Sequence, residues 1–190
     1  MKPDKSCNNN RLSRRSFLAL GAATVTATLF PSYVTASLEE MKVPERSLYF
    51  YNIHTDEKLK TVYWQNDAYI PESLAEINFI LRDYRTGGIK EIDTKLLDLL
   101  YVINKNMKAR QPFHVTSGYR SPETNAMLRK TSRGVGSNSF HIYGMAVDIK
   151  VPGRSIESLR NIAKKLKAGG VGYYPRSNFV HVDIGSVRYW

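Results

Sequence analysis

The sequence predicts a single α+β domain in which an antiparallel sheet is flanked by helices. Three observations lead there. Stretches with apolar residues at every second position and stretches with apolar residues at three- and four-residue steps both occur, so strands and helices are both present. The two kinds do not alternate regularly, which argues against a doubly wound parallel sheet. The last strand-like runs are joined by tight turns, and the 190 residues are enough to bury a core without disulfides.

Taken in order, "SLYFYNIH" and "KLKTVYW" are aromatic and β-branched runs separated by a polar "TDE" turn, the pattern of a β-hairpin with His54 at the end of its first arm. From Pro71 the period changes, with Leu74, Ile77, Leu81 and Tyr84 on one face of a helix that Gly87 and Gly88 are expected to end. A second helix starts at an Asp93 cap and carries Leu96, Leu99, Leu100 and Ile103 on to Met107. A strand over residues 113–116 runs into a turn at Ser117 and Gly118, and Ser121 and Pro122 open a third helix. Arg120 is thereby presented at a strand-to-helix junction. Residues 131–139 read as a Gly- and Ser-rich loop and 145–151 as a strand. Ile156, Leu159, Ile162, Ala163 and Leu166 mark a fourth helix, ended by Gly169 and Gly170. Two short strands around a turn at 175–178 complete the pattern.

The first 36 residues stand apart. Arg11, Arg14 and Arg15 precede an apolar stretch over 17–30 and small residues at Val34 and Ala36, which reads as an export signal with Ser37 as the mature N-terminus. "RLSRRSFLAL" resembles a twin-arginine signal, whose pathway carries folded proteins, and implies a periplasmic destination. The alternative is an uncleaved anchor, for which this stretch is short. The expected organisation is a signal at 1–36, a leader at 37–46 and a domain at 47–190. The whole chain carries a net charge of +11; without residues 1–36 it keeps 23 basic and 16 acidic side chains, a balance of +7. That favours anionic partners such as cell-wall polymers. Nucleic acid is not expected, since no motif for it occurs, and neither is stable membrane insertion once the signal is removed; a monomer is expected. Cys7 is the one cysteine and lies in the signal, so the mature chain has no thiolate to offer a metal or a substrate.

Alternation along "FVHVDIG" places His181 and Asp183 on one strand face. The same rule in "MAVDIKV" puts Asp148 among apolar residues, where a carboxylate needs a cation or several donors. His141, Asp148 and His181 then form a His, Asp, His set. Three such ligands suit a catalytic zinc, which keeps a fourth position open. Spacing alone leaves a hydrogen-bonded cluster equally admissible.

"SGYRS" at 117–121, "HIYGMAVDI" at 141–149 and "FVHVD" at 179–183 resemble, in this order, the signature of the LAS-type zinc peptidases, the group of lysostaphin, D-Ala-D-Ala carboxypeptidases and hedgehog domains. "FYNIHT", "FILRDYR" and "AGGVGYYPRSNFVHVDIG" bring the likeness closest to the murein endopeptidase branch and extend it over nearly all of the mature chain. The resemblance implies an antiparallel sheet flanked by helices, zinc as cofactor, and His141, Asp148 and His181 as its ligands. It implies peptidoglycan as substrate, cut at bonds involving diaminopimelate. It matches Arg120 to an arginine near the scissile group; the other reading of Arg120 is a brace for the turn.

The pattern also departs from the family. Positions that elsewhere carry a base are Asn178 and Phe179, and neither takes up a proton. Asp183 is the substitute candidate, as base or, preferably, as the group that orients His181. Ser139, Tyr173, Tyr174 and Arg176 are candidates for binding substrate, Ser139 alternatively for capping a turn and the tyrosines for an aromatic cluster that supports the sheet. Two other readings stay open: a carboxypeptidase trimming stem peptides, and a module that grips wall peptide without cutting it.

Overall fold

The computed structural model describes residues 44–132 and 135–190. The export signal and residues 37–43 of the expected leader lie outside the described residues. The remainder of that leader is structured: the first strand, β1, covers Glu45–Asn52, two residues earlier than expected. Its start is fixed by Arg46, whose guanidinium stacks 3.9 Å from the Trp64 ring and donates to Asp98 at 3.0 Å.

The other elements are β2 (Lys58–Gln65), β3 (Ala68–Tyr69), α1 (Pro71–Ile80), α2 (Thr94–Met107), β4 (Phe113–Ser117), α3 (Pro122–Thr131), a 3₁₀ turn (Phe140–Tyr143), β5 (Ala146–Lys150), α4 (Ile156–Leu166), β6 (Gly170–Tyr174), β7 (Phe179–Asp183) and β8 (Arg188–Tyr189). The strands form one eight-stranded sheet in the order β3-β2-β1-β4-β5-β7-β6-β8. The sheet is mixed, not purely antiparallel: β1 runs parallel to β4, and β6 parallel to β8. The long stretch carrying α1 and α2 returns the chain to its starting edge before β4, which is what a parallel neighbour requires.

One sheet face is dry. Leu48, Phe50, Val115, Val147, Ile149, Val180 and Val182 point from it into a core completed by Leu96, Leu97, Leu100 and Ile103 of α2 and Leu159 and Ala163 of α4. Each of these side chains, removed from water, contributes roughly 1.5–3 kcal/mol before ordering costs, so the sheet register is strongly specified. The residues alternating with them on β5, β6 and β7 therefore have no choice but the opposite face, which is where the site lies.

Two helix ends differ from expectation. α1 stops at Ile80, not near Tyr84, because the Leu81 carbonyl accepts the Tyr119 N–H at 2.7 Å and the chain turns away to deliver it. Gly118 permits that approach, since a Cβ there would sit 2.4 Å from the Leu81 oxygen. α4 ends on Lys167 in the left-handed conformation (φ 48°), leaving Gly169 and Gly170 for another task. The caps at Asp93, on the Lys95 N–H, and at Ser121, on the Thr124 N–H, are as expected.

Candidate metal centre and cleft

The three candidate ligands arrive from three directions. Asp148 and His181 face each other across the β5–β7 ladder, and His141 comes from the 3₁₀ turn just before β5. His141 Nε2 lies 3.1 Å from His181 Nδ1 and 3.3 Å from Asp148 Oδ1, and His181 Nδ1 is 2.9 Å from the same oxygen. All three groups are buried, and one ligand atom from each lies within 4.8 Å of the others.

The outer partners decide which lone pairs point inward. His141 Nδ1 is 2.7 Å from the Gly118 carbonyl, an acceptor only, so that nitrogen carries the proton and Nε2 presents a lone pair. His181 Nε2 is 2.9 Å from Asp183 Oδ2, so it donates outward and leaves Nδ1 bare when the ring is neutral. With the Asp148 oxygen, three acceptors converge on one point. Such a set is repulsive unless a positive charge sits between its members, and two imidazole nitrogens with one carboxylate oxygen are a fitting donor set for a divalent transition metal. Without an ion, a proton on His181 supplies that charge: burial opposes it, but hydrogen bonds to Asp148 and Asp183 prevail and raise the imidazole to about 9. Asp148 is held well below the usual carboxylate range, because its two histidine partners outweigh the cost of burial. Burial pushes His141 down, toward the neutral form a ligand needs.

Asp183 is fully buried and has no lone pair to spare. Oδ1 accepts from the backbone of Gly170 at 3.1 Å and Gly185 at 2.9 Å and from Arg188 at 3.1 Å, while Oδ2 accepts from His181 and from Arg188 at 2.7 Å. These bonds override burial and hold the carboxyl at about 2. The geometry is that of a group orienting His181 from behind, on the side away from the three converging ligand atoms. Here the two glycines after α4 find their task. A Cβ on Gly170 would meet Asp183 Oδ2 at 2.5 Å, and one on Gly169 would meet the Asp183 carbonyl at 1.9 Å.

The ligands form the floor of a cleft of about 540 Å³. Arg120 lines it, nine-tenths buried, with its guanidinium 3.2 Å from Ser117 Oγ and 3.4 Å from Asp148 Oδ2 and its Nε without a partner. A bulge in β4, where the register slips between Val115 and Ser117, turns both Thr116 and Ser117 toward the cleft. Ser139 lines it as well. Tyr173 does not. It alternates onto the core face of β6, where Arg160 stacks 4.5 Å over its ring and Glu157 accepts its hydroxyl. Tyr174, one position on, takes the place expected of it. Arg176 is exposed in the β6–β7 turn and contributes nothing to the cleft lining. His54 stacks on Tyr84 at 3.8 Å and His114 packs edge-on against Tyr51, both outside the metal cluster.

Several lining residues escaped the sequence reading, namely Arg85, Phe140, Arg188 and Trp190. Trp190 lies 5.3 Å from the His181 ring and donates to the Tyr174 hydroxyl at 2.8 Å. Arg188 opens a two-residue strand and Trp190 follows it, a stretch too short for any periodicity to announce it.

A mixed sheet flanked by helices here carries two imidazoles and a carboxylate that converge in an arginine-lined cleft and can hold a metal ion. A family model described as peptidoglycan L,D-endopeptidase MepK matches residues 40–190, and the chain belongs to that family. It is 43% identical over 178 residues to the peptidoglycan L,D-endopeptidase MepK of Escherichia coli, covering 94% of this chain and 97% of that one. The Shigella flexneri protein of the same name gives the same figures. The probable peptidoglycan L,D-endopeptidase MepK of Haemophilus influenzae is 38% identical over 179 residues, covering 94% of this chain and 95% of the relative.

Proposed function

We propose that this protein is a periplasmic, zinc-dependent endopeptidase that opens peptide cross-links of peptidoglycan, including those between diaminopimelate residues. The observation that carries the reading is the convergence of three lone pairs from His141, Asp148 and His181 at the floor of the cleft. The names of its relatives point to the same substrate. The twin-arginine-like signal supports export. Among the described residues no helix is long and apolar enough to cross a membrane.

His141 Nε2, Asp148 Oδ1 and His181 Nδ1 would hold the zinc ion, which when bound would supply Lewis acidity toward the scissile carbonyl and toward water. The chain's own residues do the rest. The Gly118 carbonyl and Asp183 fix the two imidazoles in the tautomers that expose those nitrogens. Arg120, buried beside Asp148, presents a permanent positive charge where negative charge grows on the attacked carbonyl oxygen, the preorganised stabilisation that low-dielectric sites make effective. The proton acceptor is not Asn178 or Phe179, which have no basic group, nor Asp183, whose oxygens are fully engaged.

The test is to incubate the mature protein with cross-linked muropeptide dimers, with and without a chelator. Chelator-sensitive loss of dimers is expected. Intact dimers in zinc-replete buffer refute cutting and leave a peptide-gripping module; release of terminal residues alone points to a carboxypeptidase.

A further inference from the structure

Among the described residues three arginines line the cleft, and they are not equivalent. Arg188 spends both terminal nitrogens on Asp183. Arg120 rests against Ser117 and Asp148. Arg85 makes no ion pair among the described residues. It is exposed at the cleft mouth, its guanidinium lying 4.2 Å from the Tyr84 ring, which in turn stacks on His54 at 3.8 Å. The His54 ring is anchored by donating to the Thr116 carbonyl at 3.0 Å.

Arg85 and Arg120 are set relative to each other by one buried carboxylate. Asp83 accepts the Arg85 N–H on Oδ1 at 3.1 Å and the Ser121 N–H on Oδ2 at 2.9 Å, tying the two arginine-bearing turns together. Like charges held on one wall cost free energy unless a ligand offsets it. Among the described residues the one carboxylate lining this cleft, Asp148, is already engaged by the ligand cluster.

We infer that Arg85, with Arg120 behind it, reads a carboxylate on the substrate next to the scissile bond, and so makes the enzyme prefer cross-links whose diaminopimelate keeps that group as the free acid over those in which it is amidated. The preorganised stack makes the guanidinium a receptor rather than a solvated rim charge. This rests on the cleft being the cross-link-cutting site.

The test uses the zinc-loaded mature protein and two synthetic dimers cross-linked through diaminopimelate, one with the side-chain carboxylate free and one with it amidated. Both affinity, by calorimetry, and kcat/KM are measured. The wild type is expected to favour the free acid by about tenfold, mainly through KM, as a charge-assisted contact at a half-open site warrants. Arg85→Gln should abolish the preference by bringing kcat/KM on the free acid down to that on the amide, and Arg85→Lys should restore part of it. Equal treatment of the two dimers by the wild type, or a preference that survives in Arg85→Gln, overturns the inference. If the wild type binds the free acid better through Arg85 but cuts neither dimer, the carboxylate site stands and the endopeptidase reading falls.

Discussion

Two buried aspartates, one on a helix and bonded by tyrosines of the β2–β3 edge, the other on an interior strand, behave as opposites. Asp98, on α2, accepts from Tyr63 at 2.8 Å, from Tyr69 at 2.8 Å and from Arg46 at 3.0 Å, so donors surround it. Asp148, on β5, faces two imidazoles whose outer partners turn their lone pairs toward it, and its arginine stands 3.4 Å off. Burial is nearly the same, 5% exposed against 7%. The balance of donors and acceptors, not depth, separates a carboxylate that braces the fold from one that awaits a cation.

The comparison breaks most dramatically at the ligands. His141→Ala should lose metal and cut activity by on the order of a thousandfold or more while the fold survives, as metal analysis, muropeptide assays and circular dichroism would report. Asp98→Ala should do the reverse: it strands two tyrosine hydroxyls and a guanidinium and is expected to cost about 3 kcal/mol in denaturant unfolding, with metal stoichiometry intact. Loss of metal in Asp98→Ala at temperatures where it remains folded would erase the distinction.

Asp183→Asn tests the support behind His181. Metal affinity should fall by about 10- to 100-fold in competition titrations, and Arg188→Gln should reproduce a smaller part of that fall. The last test is in pH. Because the ion-free His181 is raised to about 9, an entering ion must displace its proton. Below that value apparent affinity should rise by about tenfold per pH unit as protons become scarcer, flattening above pH 9, and calorimetry in buffers of different ionisation enthalpy should show about one proton released per ion near pH 7.

Much of this was legible in the sequence because it rests on short-range rules. Alternation placed His181 and Asp183 on one face and Asp148 opposite the apolar side of β5, and caps at Asp93 and Ser121 set two helix starts. What the sequence did not disclose depends on distant partners. The parallel β1–β4 pairing is invisible in either strand alone. α1 ends early because Tyr119, far along the chain, claims the Leu81 carbonyl. Gly169 and Gly170 looked like a helix stop, but it is Asp183 that requires them to lack side chains. Of the two tyrosines expected near the groove, Tyr174 lines it and Tyr173 packs on the core, because one step along a strand is the difference between the two faces.

The clamp of Arg188 on Asp183 also sets an order of events. As a ribosome extrudes this chain, His141 and Asp148 emerge well before His181, and His181 before the arginine that steadies its supporting carboxylate. A chain that ends before His181 offers a passing ion two of the three ligands, and one that ends before Arg188 offers all three with a less steady imidazole. Full-strength loading is therefore a late step, completed when the last strand docks, so a chain truncated before that strand should emerge with a blunter blade.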